Sequence, residues 1–182
     1  MGKLILVTGG ARSGKSAYAL RVAEAVSERK LFVATSPHLD QEMSDRITRH
    51  QEERRGRDWQ TIEEETKLAN IFSSNVQNID VVLIDCITLW VNNIIYAVGE
   101  HNINDKSIGE LCQEWIERAL EYPGVVICVT NEVGMGIVPE NDLARKYRDL
   151  VGTCNQILGK VASEVVLVSC GIPLTIKNEN QT

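Results

Sequence analysis

No stretch of this 182-residue chain approaches the ~20 consecutive apolar residues of a membrane helix, so no membrane span is expected. Basic charge is also in short supply. Lys and Arg number 19 against 25 Asp and Glu, giving a formal net charge of −6 and a pI near 5.2. That balance argues against a nucleic-acid-binding surface. The five cysteines (Cys86, Cys112, Cys128, Cys154 and Cys170) include no C-x-x-C pair and have no histidine cluster nearby. Their odd number and apolar neighbours suit reduced, mostly buried thiols in a cytoplasmic protein, and no chemistry is assigned to them. Internal repeats, low-complexity tracts and long linkers are missing too. The expectation is one domain over residues 1–182, long enough to bury about 70% of its unfolded surface. A cleaved signal peptide is not expected, because cleavage would destroy a glycine-rich loop that starts by Gly9.

That loop is the most informative feature present. An apolar run, Leu4–Val7, leads into Gly9-x-x-x-x-Gly14-Lys15-Ser16, and a helical pattern follows at once. This is the strand–loop–helix context of a P-loop. Glycines let backbone N–H groups turn inward around an anion, and a helix starting near Lys15 adds the positive end of its dipole. Lys15 is suited to the β- and γ-phosphates, and the Ser16 hydroxyl to Mg²⁺. The chain is expected to bind a nucleoside triphosphate.

Strand-like and helix-like segments alternate, which predicts an α/β fold with a mostly parallel sheet and helices on both faces. Five short runs rich in Val, Ile or Leu read as buried strands: residues 4–8, 31–35, 81–85, 125–130 and 164–169. A tail strand at 174–177 is expected at the sheet edge. Helical spacing appears after the P-loop (Ala19, Val22, Ala23, Val26), over Ile108–Ala119, and over Asp142–Ala162, whose apolar stripe reads as packing. Residues 102–106 read as a loop.

In such a sheet, ligands sit at the carboxyl ends of the strands. The residues there are Thr8, Thr35-Ser36, Asp85 and Asn131-Glu132, all polar. Val81-Val-Leu-Ile-Asp85 has the form of a Walker B strand, whose aspartate helps hold Mg²⁺; a solvated strand-end carboxylate has the same sequence form. Thr130-Asn-Glu-Val-Gly-Met-Gly-Ile-Val-Pro139 fits a ligand-facing loop or a structural cover equally well. In the first case Gly134 and Gly136 supply backbone conformations closed to other residues. Asn131, Glu132, Arg145 and Arg148 are candidates for an acceptor-substrate side, with surface charge as the plain alternative for the arginines. The guanine-specifying Asn-Lys-x-Asp of switch GTPases is absent.

Gln41–Arg57 reads as a polar helix, with Arg46, His50 and Arg54 aligned at i, i+4 spacing. On these residues alone His50 is a surface histidine among salt bridges. A second reading is chemically coherent: neighbouring arginines disfavour the imidazolium, and a neutral imidazole is a nucleophile toward phosphorus.

Several longer motifs resemble one family. They are Val7–Ser16, Val33-Ala-Thr-Ser36, Met43-x-x-Arg-Ile-x-x-His50, Trp59-x-Thr61-x-Glu63, Cys86-Ile-Thr88 and Thr130-Asn-Glu-Val-Gly-Met-Gly-Ile-Val-Pro-Glu-Asn141, with Asn155 and the Glu164–Gly171 end. The family is that of the bifunctional adenosylcobinamide kinase/adenosylcobinamide-phosphate guanylyltransferases of cobalamin biosynthesis. The resemblance implies a RecA-like P-loop fold and two reactions. ATP or GTP phosphorylates the aminopropanol hydroxyl of adenosylcobinamide. A histidine then captures GMP from GTP, releasing pyrophosphate, and passes it to the corrinoid phosphate to give adenosylcobinamide-GDP. By motif position His50 matches that histidine, with Lys15 on the transferred phosphates. Thr8, Gly9, Gly10, Ala11, Arg12, Ser13, Gly14, Lys15 and Ser16 match the nucleotide loop, and Val33, Ala34 and Thr35 the second-strand segment. Gln51, Glu52, Glu53, Arg54, Glu63 and Asp85 match the remaining nucleotide contacts. Glu63 suits the N1–H and 2-amino group of guanine. Asp85 stands where some members carry Glu, and either carboxylate serves Mg²⁺ beside Ser16. The resemblance also implies a homo-oligomer, a trimer. The rival expectations are an enzyme retaining one of the two activities, and a RecA-type nucleotide-driven binding or motor protein.

Overall fold

The structure, a computed structural model, describes residues 2–36, 56–74 and 76–179. Seven strands form one sheet: β1 (Lys3–Thr8), β2 (Lys30–Ala34), β3 (Trp59–Glu63), β4 (Val81–Asp85), β5 (Val125–Val129), β6 (Glu164–Ser169) and β7 (Ile172–Asn178). Their spatial order is β3-β2-β4-β5-β1-β6-β7, parallel throughout except for β7, which runs antiparallel to β6. The mostly parallel α/β sheet read from the sequence is therefore the observed one. Strand β5 lies between the P-loop strand β1 and the Asp85 strand β4.

Alternation along the strands divides the core in two. On one face Ile5, Val7, Phe32, Val81, Leu83, Ile127 and Val129 pack with Ala19, Leu20 and Ala23 of α1 (Lys15–Val26). On the other face Leu4, Leu6, Leu31, Val33, Val82, Ile84, Val126 and Cys128 are covered by four helices. These are α2 (Leu68–Ser74), α3 (Ile87–Val98), α4 (Asp105–Glu121) and α5 (Asp142–Val161). Trp90 of α3 meets Trp115 of α4 edge to face, with centroids 6.4 Å apart, at the centre of that layer. Asn104 caps α4 in a capping box with Ser107, and Asn141 caps α5 by accepting from the Ala144 N–H.

The structure departs from the expected elements in several places, among them helix α2, which was not expected. Strand β3 was not among the expected strands. Nor was α3, whose high overall apolar content resembles a buried strand run as much as a helix. Residues 102–106 are no excursion: Ile103 is buried and α4 begins at Asp105. Of the polar helix expected over Gln41–Arg57, residues 41–55 lie outside the described residues, and Gly56-Arg57 forms a turn. The thiols divide as expected in part: Cys112, Cys128 and Cys154 are buried, Cys86 is half-buried, and Cys170 is exposed.

Candidate active site

The carboxyl edge of the sheet carries the candidate site. Gly9 runs against β6 so closely that a Cβ there would lie 2.3 Å from the Val168 carbonyl oxygen. Gly14 adopts φ 95°, ψ 6°, a left-handed conformation that starts α1. No side chain caps α1, and no acidic residue occupies its first turn. The first N–H groups of the helix thus remain available to an anion, and the dipole favours one. Gly10, Ala11 and Arg12 are exposed over this turn, while Lys15 and Ser16 are half-buried. The Lys15 ammonium donates to the Gly10 carbonyl at 2.9 Å, which places its charge at the mouth of the loop. The Ser13 and Ser36 hydroxyls, both on this edge, are buried without a hydrogen-bond partner among the described residues.

Register places the other predicted residues along the same edge. Ala34 pairs with Glu63 on one side and Asp85 on the other, so three strand ends share one row. Asp85 follows Val81 and Leu83 on the face that carries α1, the side on which the P-loop enters its helix. Among the described residues its carboxylate makes no hydrogen bond or ion pair. At about 4.8 Å per strand, Asp85 lies about 10 Å from β1 along the sheet and Glu63 about 19 Å. Glu63 therefore belongs to the far end of the edge from the phosphate cradle.

Two expected contacts run through the backbone or are already committed. Val33 is fully buried in the helix-covered core, leaving only its peptide groups to a ligand. The Thr35 hydroxyl donates to the Cys86 carbonyl at 2.8 Å and accepts from the Cys86 N–H at 2.7 Å, which clamps β2 to the start of α3. Asn93 of α3 completes the clamp by donating to the carbonyls of Thr35 and Glu65. His50, Gln51, Glu52, Glu53 and Arg54 lie outside the described residues.

A second polar cluster, only partly legible in the sequence, underlies the P-loop. The Thr8 hydroxyl donates to Glu132 Oε1 at 2.6 Å, and the Glu132 N–H donates to the Gly9 carbonyl at 3.2 Å. Asn155 of α5 donates to the Asn131 carbonyl and to Glu132 Oε1, and accepts from the Thr130 hydroxyl at 2.7 Å. One amide thus fixes three consecutive residues after β5. Gly134 and Gly136 do not use the left-handed region, so the conformational reason expected for them does not hold. Their loop instead exposes Met135, Ile137 and Val138. Nearby, burial pushes the Tyr147 phenol up to about 12, so it stays protonated and donates to the Thr88 carbonyl. Among the described residues no three His, Cys, Asp or Glu side chains cluster as a metal site, and no helix is long and apolar enough to cross a membrane.

Comparison with known proteins identifies the family of the chain. Residues 5–176 match the family described as cobinamide kinase / cobinamide phosphate guanyltransferase. The chain belongs to that family. It is 42% identical to the bifunctional adenosylcobalamin biosynthesis protein CobU of Escherichia coli K12, covering 96% of this chain and 99% of that one. Identity to the CobU protein of Salmonella typhimurium LT2 is also 42%, covering 96% and 99%. The CobP protein of Pseudomonas aeruginosa PAO1 is 34% identical, covering 96% and 97%. Membership of this family favours the enzyme over the motor protein.

Proposed function

We propose that this chain, acting as one domain, performs both reactions in the family's description. In the first, the γ-phosphate of ATP or GTP passes to the aminopropanol hydroxyl of adenosylcobinamide. In the second, GMP passes from GTP through a covalent histidine adduct to the corrinoid phosphate. The observation that carries this reading is the uncapped start of α1 behind Gly9–Ser16, set in one edge with Asp85, Ala34 and Glu63. Free helix N–H groups bind the phosphates, and Lys15 neutralises charge developing on the transferred group. Gly10, Ala11, Arg12 and the Ser13 hydroxyl complete the cradle.

Ser16 and Asp85 fit a magnesium ion. Both are hard oxygen donors, and Asp85 has no competing partner among the described residues. When bound, Mg²⁺ supplies charge neutralisation at the β- and γ-phosphates. Glu63 accepts from the guanine N1–H and 2-amino group, and His50 is the nucleophile that takes GMP, with Gln51, Glu52, Glu53 and Arg54 beside the nucleotide. All five cysteines are without a disulfide, which suits a cytoplasmic location. We infer a homo-oligomer, with the trimer of the family resemblance as its form. The exposed Ile172, Leu174 and Ile176 of β7 support an assembly.

Incubation with Mg²⁺ and GTP labelled at the α-phosphorus tests the histidine. An acid-labile, alkali-stable protein adduct is expected in the parent protein and absent from His50→Ala. Full labelling of that variant would overturn the assignment. In Lys15→Ala, phosphorylation of the corrinoid should fall at least 100-fold.

A further inference from the structure

Only one of the three chemical steps in the proposed function starts from a neutral hydroxyl. In the guanylyl steps the attacking atoms are an imidazole nitrogen with a free lone pair and a phosphate oxygen that is already anionic. In the kinase step the attacking oxygen must lose a proton, and a positioned base contributes typically 10²–10⁴-fold to such a step. A carboxylate beside the phosphate cradle that takes this proton would therefore serve one activity, and its loss would spare the other.

We propose that Glu132 is that proton acceptor. Glu63, Asp85 and Glu132 stand at or just beyond the ends of three different strands on this edge, and strand spacing separates them. Glu63 lies about 19 Å along the sheet from β1 and Asp85 about 10 Å. Glu132 is hydrogen-bonded to the P-loop itself, through Thr8 at 2.6 Å and through its own N–H to the Gly9 carbonyl. Both bonds made by its carboxylate end on Oε1, from Thr8 and from Asn155. Oε2 makes no hydrogen bond among the described residues, which leaves one basic oxygen on a side chain whose other oxygen is fixed. The backbone is fixed as well. Asn155 ties down the Asn131 carbonyl and the Thr130 hydroxyl, so the carboxylate hangs from a braced loop.

The step balances without any further reagent. The acceptor hydroxyl oxygen forms a bond to the γ-phosphorus while the bond to the β,γ-bridging oxygen breaks. The nucleoside diphosphate leaves with that electron pair, and the hydroxyl proton passes to Glu132.

This inference rests on the proposed function, and Glu132→Gln separates the two. The glutamine keeps an oxygen to accept from Thr8 but cannot take the proton. Phosphorylation of adenosylcobinamide by ATP should fall about 100-fold in kcat, with the KM for ATP unchanged. Formation of the α-labelled GMP adduct in the same preparation should stay within about threefold of the parent, which also shows that the variant is folded. A fall of less than tenfold in phosphorylation overturns the proposal. So does a parallel loss of both activities, which would assign Glu132 to nucleotide binding. A parent protein that forms neither product would instead overturn the proposed function.

Discussion

A buried N–H without an acceptor costs about 1–3 kcal/mol, and the Trp115 indole N–H has none among the described residues, whereas the indole of its neighbour Trp90 donates to the Thr66 carbonyl at 2.8 Å. Both rings are 1% exposed, so their burial is matched and the contrast isolates the polar atom. Trp90→Phe strands the Thr66 carbonyl, while Trp115→Phe removes a group with no partner among the described residues. The first should cost about 1–2 kcal/mol more than the second in urea unfolding at equal m-value. Equal losses would show that ring volume, not hydrogen bonding, governs this layer. At this scale the sequence was partly legible. It marked Asn131 and Glu132 as polar residues after a strand, but not what they bind. Asn155, which organises them, sits on a helix read as a packing stripe, and Thr8, which donates to Glu132, lies 124 residues before that glutamate. Contacts across that separation depend on topology, which periodicity does not encode.

The P-loop is shaped as much by strand β6 as by its own glycines. A Cβ at Gly9 would meet the Val168 carbonyl at 2.3 Å and the Ser13 hydroxyl at 2.7 Å, whereas one at Gly10 would meet nothing within 4 Å. Gly9→Ala should therefore destabilise by about 2 kcal/mol or more, and Gly10→Ala by about 0.5 kcal/mol or less. Denaturation midpoints check the pair, and equal values would contradict the close approach. Sequence motifs treat the two glycines alike; only the packing tells them apart. The same limit governed the elements. Strands β1, β2, β4, β5 and β6 were readable because burial on both faces makes them continuous apolar runs. Strand β3 is an edge strand with only Trp59 and Ile62 half-buried, so its pattern is too faint to read. Helix α3 was hidden for the opposite reason, being so rich in apolar residues that a short run of it reads equally as a buried strand.

For the whole molecule, the edge strand β7 presents Ile172, Leu174 and Ile176 at 69%, 59% and 59% exposure, a concentration of apolar surface that a neighbouring copy would cover. Leu174→Glu should shift the particle mass measured by light scattering toward the single chain. An unchanged mass would remove β7 from the interface. The tail strand was visible in the sequence, but its lack of cover was not, because exposure depends on the finished packing.

The hairpin between β6 and β7 turns at Cys170-Gly171, and there the Gly171 N–H donates to the Ser13 carbonyl at 2.8 Å. The last hairpin of the chain is thereby stapled to the first functional loop. Through that bond a contact that steadies the hairpin is expected to steady the phosphate grip, and any such coupling is reciprocal. In the homo-oligomer proposed above, with β7 as its contact, a nucleotide that tightens the grip should therefore strengthen the association, which sedimentation with and without GTP would reveal as a shift in dissociation concentration.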